Sequence, residues 1–360
     1  MLLERVRPAC AAVRVRPALE RMARRAGIHG DDAIRFWRIF DLLTRESLDF
    51  AQQDGARRFS GICGDGTPWQ FCATMGAQAA SLRFLTEVGA PGTPLRERTA
   101  LTLRRMSDVF ALIGASGEET IAALADLAPR DDDHIAALWI GVAASSRGPP
   151  RVRIYANNGW GELTERWLRL IAALRRLGAG GFAASLQPHL PLLLPAFSPN
   201  GFAVTIPARE RVCKLYLRPT SPSWRTVRAL APALLSSHGA AFTARIEDGL
   251  QQPLETLPDK ALIVSVAGPA NGGALDLKLD LCGHCIIGDD GRATRMVERL
   301  CRAFELDPSP YRDMIEDLGF AQAPLPKEMF AFLGIGGTAK GENRINVYFT
   351  APDTCRTPEP

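Results

Sequence analysis

The sequence predicts an α+β fold in which ten antiparallel β-strands close into a barrel around a solvent-filled lumen, with α-helices outside. Three observations lead there. Hairpin-like stretches recur near 57–76, 136–158, 201–219, 262–283 and 329–352. The segments between them carry apolar residues three and four apart, the period of a helix with one buried face. On the second strand of each later hairpin, cations and tyrosines share one face while the other face is apolar.

Taken in chain order, residues 1–27 read as an exposed amphipathic helix. They are rich in arginine, but Glu4 and Glu20 interrupt any apolar run, so they do not form a secretory signal. The first hairpin is expected in "RRFSGICGDGTPWQFCATMG", turning at Gly64-Asp65-Gly66. The second joins "AALWIGVAAS" to "PRVRIYANN", and the third "GFAVTIPA" to "RVCKLYLRP". The fourth is "LIVSVAGPANGGALDLKLDLCG" and the fifth "MFAFLGIGGTAKGENRINVYFTAP". Helical periodicity covers 31–54, 95–126, 160–178, 222–240 and 292–320, so each unit is two helices and one hairpin. Five such ααββ units fill 1–360 as one domain.

The polar faces read Arg151, Arg153, Tyr155; Lys214, Tyr216, Arg218; Asp276, Lys278, Asp280; and Arg344, Asn346, Tyr348. Leucine, isoleucine, valine and phenylalanine alternate with them and pack beneath helices. An open sheet with one wetted face would satisfy this alternation. Four strands offering cations, with three matching tyrosines, are better explained by a shared anionic ligand inside a closed sheet. Ten strands also enclose more space than the eight that side chains just fill.

Composition excludes other classes. With 43 basic and 39 acidic residues the net charge is +4, too balanced for a nucleic-acid binder. The greasiest segment, "HLPLLLPAF", is short and broken by proline, so no membrane span is expected. Eight scattered cysteines are read as reduced thiols in a cytoplasmic protein.

The pattern resembles the dimethylallyl-tryptophan synthase type of aromatic prenyltransferase, bacterial subgroup, whose ABBA barrel repeats an α-α-β-β unit five times. The residues that carry the resemblance are "DGTPWQFC", "LRFLTEVG", "RVRIY", "CKLYL", "LDLKLDLCGHC" and "RINVYF", in order, over nearly the whole chain beyond the first helix. It implies transfer of a dimethylallyl or longer prenyl group from its diphosphate to an electron-rich aromatic acceptor, foremost tryptophan, another indole, or an indole-bearing natural product or peptide. The implied donor site is Arg83, placed on the segment after the first hairpin, with Arg153, Lys214, Lys278 and Arg344 and the tyrosines Tyr155, Tyr216 and Tyr348. The implied acceptor site is Gln70, Asp280 and Asn346. Val212 and Asp280 stand where the family tends to have arginine and tyrosine, so diphosphate contacts are not carried over there. Gln70 replaces the usual glutamate; an amide accepts a hydrogen bond but is no base at neutral pH.

These residue types suit the chemistry. Cations stabilise a leaving diphosphate and tyrosine faces calm an allylic cation without attacking it, which makes Gln70, Tyr155, Tyr216 and Tyr348 the catalytic candidates. No metal is expected to be required, with magnesium at most a stimulant, because "RDDDHIAAL" has Ile135 where a paired magnesium motif needs a carboxylate. "CGHC" (282–285) reads as structural thiols, with His284 a minor candidate at the acceptor pocket, and the glycine-rich 334–344 as a hairpin. The expected partners are a prenyl diphosphate and an aromatic small molecule or peptide, with the protein a monomer or weak homodimer. Other readings are a phenolic acceptor, a non-catalytic carrier of an amphipathic ligand, and a polyphosphate-cleaving tunnel.

Overall fold

In the computed structural model ten strands hydrogen-bond in the order β1-β10-β9-β8-β7-β6-β5-β4-β3-β2 and close on themselves, every neighbouring pair antiparallel. The structure describes residues 11–47, 60, 62, 68–76, 81–90, 92–129, 134, 136–146, 148–206, 211–220, 224–286, 290–318 and 330–349. Closure leaves no edge strand, which removes the unpaired N–H and C=O groups that an open sheet would expose.

The units follow the chain. The first comprises α1 (Ala11–Arg25), α2 (Gly30–Thr44), β1 (Trp69–Gly76) and β2 (Ser81–Thr86). Next come α3 (Leu95–Leu112), α4 (Glu118–Ala125), β3 (Leu138–Ser145) and β4 (Gly148–Asn157). The third adds α5 (Leu163–Arg176), α6 (Gly180–Leu186), the short α7 (Leu190–Leu193), β5 (Phe197–Ile206) and β6 (Val212–Pro219). The fourth has α8 (Trp224–Leu235), α9 (Gly239–Leu250), β7 (Leu262–Pro269) and β8 (Asp276–Cys282), then the one-turn α10 (Gly283–Ile286). The fifth is α11 (Asp290–Ala303), α12 (Ser309–Asp317), β9 (Phe330–Gly337) and β10 (Asn343–Phe349).

The main core lies between barrel and helices. Ile154, Leu215, Leu277, Leu279, Ile345, Val347 and Phe349 point outward and are fully buried under the helical layer. Each such side chain contributes about 1.5–3 kcal/mol of transfer free energy, and this outward pull fixes the opposite parity of every strand toward the lumen.

The first hairpin departs from expectation. Trp69–Gly76 is its first strand and Ser81–Thr86 its second, one step later along the chain than predicted. Arg83 therefore stands on the hairpin itself. The misleading signal was Gly64-Asp65-Gly66, which has turn chemistry but precedes β1; it lies outside the described residues, as does "RDDDHIAAL" from Arg130 to Asp133. The helix expected over 31–54 ends at Thr44, and 48–54 also fall outside the described residues.

The N-terminal helix, expected to be exposed, packs instead. Ala18, Leu19 and Ala23 of α1 are buried, and Arg25 pairs with Asp313 (2.6 Å) and Glu316 (3.1 Å) of α12. Among the described residues no helix is long and apolar enough to cross a membrane.

Candidate active site

Strand parity delivers the predicted face to one interior. Lys214, Tyr216, Lys278, Asp280, Asn346 and Tyr348 alternate with fully buried outward leucines, isoleucines and valines, so all look into the barrel. On β1 the same parity turns Gln70, Cys72 and Thr74 inward while Trp69, Phe71, Ala73 and Met75 join the outer core. Inward Arg83, Arg153, Tyr155, Tyr216 and Tyr348 keep partial exposure, whereas inward Gln70, Lys214, Lys278, Asp280 and Asn346 are buried.

Two chemical layers emerge along the barrel. Toward the hairpin turns stand Arg83, Arg153, Lys214, Lys278 and Arg344, and they feel one another. The Lys214 ammonium is held well below the usual lysine pKa by burial and by the charges of Lys278, Arg153 and Arg344, against the pull of Asp280. Lys278 is lowered by burial, opposed by Asp280. Arg344 is lowered by burial, with Arg83 and Arg153 adding to the effect and Asp276 (3.8 Å) opposing it. For Lys214, Lys278 and Arg344 burial is the first cause, and the neighbouring cations add to it.

Tyrosines form the boundary. The Tyr155 and Tyr216 rings lie 5.8 Å apart. Lys214 Nζ stands 4.8 Å from the Tyr216 ring centre and Lys278 Nζ 4.6 Å from that of Tyr348. Lys278 also donates to the Tyr348 hydroxyl (2.7 Å) and to the Asp280 carboxylate. Burial opposes the Arg153 charge, yet Tyr155, Tyr216 and Tyr348 hold its pKa above the ordinary value. Burial pushes Tyr216 and Tyr348 well above the usual phenol range, so both stay neutral.

Toward the opposite end, where helices feed the strands, lies a separate apolar cluster of Ile62, Leu85, Trp139, Ala331, Phe332 and Tyr348. Gln70 pairs with Leu85 across β1 and β2 and faces this end. A ligand with a charged head and an apolar body would lie with its head among the cations and its body beside the tyrosines.

The sequence-predicted residues thus converge, with two refinements. Asp280, expected at the acceptor, is also the counter-ion of Lys278. Asn346, expected beside it, accepts a hydrogen bond from Thr74 Oγ1 (2.9 Å). Thr205, whose hydroxyl accepts from Arg153 Nε (2.8 Å), and Ser81, which accepts from Arg83 Nε (3.1 Å), were missed, as were Trp139, Phe332 and Ile62. Most of these lie on strands whose alternation is diluted by small residues. Pairing each polar face with its hairpin partner would have found Trp139, which opposes Tyr155; Thr205 opposes Arg153 across β4 and β5, strands of different hairpins.

"CGHC" straddles the end of β8 and the helical turn α10; Cys285 is a free thiol, and nothing is described of the His284 side chain. Thr338 closes the glycine-rich turn by donating to Glu342 O (2.9 Å). Among the described residues no three His, Cys, Asp or Glu side chains gather as metal ligands would. A cleft of about 680 Å³ lined by Arg175, Arg176 and Arg211 opens on the outer surface and touches none of the lumen residues above.

No family model matches the chain, and no curated protein matches it. Solved structures do. The 5-dimethylallyltryptophan synthase of Streptomyces coelicolor superposes with a TM-score of 0.79 at 17% identity, over 96% of this chain and 98% of that one. The 6-dimethylallyltryptophan synthase of Micromonospora olivasterospora, solved with DMASPP and Trp, gives 0.76 at 19%, over 95% and 97%. The prenyltransferase PriB, in a ternary complex with L-tryptophan and dimethylallyl thiolodiphosphate, gives 0.74 at 20%, over 95% and 96%. This chain shares their fold from end to end.

Proposed function

We propose that the protein is an aromatic prenyltransferase that moves a dimethylallyl or longer prenyl group from its diphosphate to an indole-type acceptor without a required metal. The observation that carries the reading is the convergence of five cations, three tyrosines and an apolar pocket inside one closed barrel. The solved neighbours support it through their complexes with prenyl thiolodiphosphates and tryptophan.

In this reading Arg83, Arg153, Lys214, Lys278 and Arg344 take up the charge that grows on the diphosphate as the allylic C–O bond breaks. A unit-charge pair about 4 Å apart at an effective dielectric near 20 gains about 4 kcal/mol before desolvation, so several contacts supply the stabilisation often taken from a metal. Tyr155, Tyr216 and Tyr348 then flank the cation, worth about 0.5–2 kcal/mol each, and Tyr216 and Tyr348, raised by burial, offer it no phenolate. The acceptor ring attacks from the apolar end, its N–H donating to the Gln70 side-chain oxygen. Gln70 cannot take the proton, so the proton released on rearomatisation leaves to water or to the departed diphosphate. A phenolic acceptor is the second reading, favoured because the Gln70 amide can also donate to a phenol oxygen.

Purified protein incubated with dimethylallyl and geranyl diphosphates and a panel of indoles and phenols, with and without chelator, tests this. A prenylated product formed in chelator is expected. Tight diphosphate binding with no product from any acceptor would favour the carrier, and phosphate release from triphosphate the polyphosphate tunnel.

A further inference from the structure

The polar face of β6 holds a cation that the donor site does not use. Lys214, Tyr216 and Arg218 share that face, because Cys213, Leu215 and Leu217 between them are buried in the outer core. Lys214 belongs to the cation layer. Arg218 stands four residues further along the strand, about 13 Å away, at the end where helices feed the barrel and where Gln70 lies.

The strand positions at that end are otherwise uncharged. On the other nine strands the inward residue nearest it is neutral, among them Gln70, Leu85, Trp139, Cys282 and Phe332. Glu87, just beyond β2, is already paired with Arg98. Arg218 is exposed, and no carboxylate is among the described groups that act on its charge. Burial of part of the side chain lowers its pKa, opposed by the thiols of Cys282 and Cys285. Cys282 is itself the last inward residue of β8, which places that thiol and the guanidinium on the same face of the sheet.

A guanidinium on the inward face with no acid to answer it is a ready partner for an anion, and its planar fork matches a carboxylate through two parallel hydrogen bonds. The diphosphate has its own cations at the opposite end, so the anion met here is a second one. We propose that Arg218 selects the acceptor by binding a carboxylate on it, which makes the substrate class an aromatic acid, such as a free amino acid, in preference to a neutral indole or an amine. This rests on the prenyltransferase reading and names the acceptor class of the same site. Arg218 holds the acceptor by its anionic group and not by the reacting ring, so its loss raises KM and spares kcat.

The test measures kcat and KM with dimethylallyl diphosphate for wild type, Arg218→Gln and Arg218→Glu on three acceptors. These are tryptophan, indole-3-propionate, which has only the carboxylate, and tryptamine, which has only the amine. Wild type is expected to favour the two acids over tryptamine by about tenfold or more in kcat/KM, the worth of one charge-assisted contact. Arg218→Gln should lower kcat/KM for both acids about tenfold, through KM, and leave tryptamine within about twofold. Arg218→Glu should reverse the preference in favour of tryptamine. Circular dichroism and an affinity for inorganic diphosphate within about twofold of wild type verify that each variant is folded with its donor layer intact. Equal use of acids and amine by wild type, or an equal loss on all three acceptors in folded Arg218→Gln, would overturn the assignment. No product from wild type with any acceptor would instead overturn the prenyltransferase reading on which it rests.

Discussion

Lys214→Met separates what the cation layer does for binding from what it does to the fold. Lys214 is 5% exposed, and burial together with Lys278, Arg153 and Arg344 makes its charge costly in the free protein. Methionine keeps the stem volume and removes the charge, and replacing buried ionic groups by apolar ones of similar size often stabilises by about 1–4 kcal/mol. The variant should therefore melt a few degrees above wild type. Diphosphate reverses the sign, because a charge-assisted contact keeps a net of about 1.5–3 kcal/mol, so the Kd for inorganic diphosphate should rise about 10- to 100-fold. A third signature follows from linkage. Bound diphosphate raises the depressed lysine pKa, so proton uptake on binding should appear as the pH is raised into the range where free Lys214 titrates, and not below it. Calorimetry in two buffers of different ionisation enthalpy reads this, and Lys214→Met should lose it. A lower melting temperature together with unchanged diphosphate affinity would show that Lys214 is a structural cation and refute the reasoning.

Three further outcomes are expected. Gln70→Glu supplies a carboxylate where the wild type has an amide, and should raise kcat with indole acceptors while leaving donor affinity within about twofold; an unchanged acceptor profile would place the acceptor elsewhere. In Gly334→Ala a Cβ would stand 2.6 Å from both Lys278 Nζ and Asp280 Oδ1; the ammonium must swing away, so diphosphate binding should weaken several-fold with little change in unfolding temperature. Glu87 is raised by burial from 4.5 to about 7 despite Arg98 and Ser60. A carboxyl whose folded pKa lies above its unfolded one adds stability below the unfolded value and loses it as pH rises through the folded one. The stability of wild type relative to Glu87→Gln should accordingly be about 2 kcal/mol more favourable near pH 5.5 than near pH 8; urea unfolding at the two pH values measures it, and a gap that does not move with pH would mean that Glu87 is not the titrating group.

Four of the five hairpins and the inward set Arg153, Lys214, Lys278 and Tyr348 were legible because a strand has a side-chain period of two and the outer core demands one parity. β2 was misjudged because "SLRFLT" places Leu85 on the same face as Ser81 and Arg83, and this broken alternation hides a strand. The burial of α1 was hidden for a related reason. Its many arginines suggested a solvated helix, whereas Arg21 and Arg25 answer carboxylates on α12 nearly three hundred residues away.

Local sequence determined the number of units, the face each later strand turns inward, and the replacement of a carboxylate by Gln70, since each is written in consecutive residues. Tertiary structure alone decided that β1 meets β10, which brings Cys72 beside Tyr348 and closes the ring of cations. It alone decided that Asp280 neutralises Lys278, and that Ile62 packs with Leu85, Trp139, Phe332 and Tyr348. These depend on contacts between residues far apart in the chain, whose free energy is set by barrel closure and packing and leaves no periodic trace in any one segment.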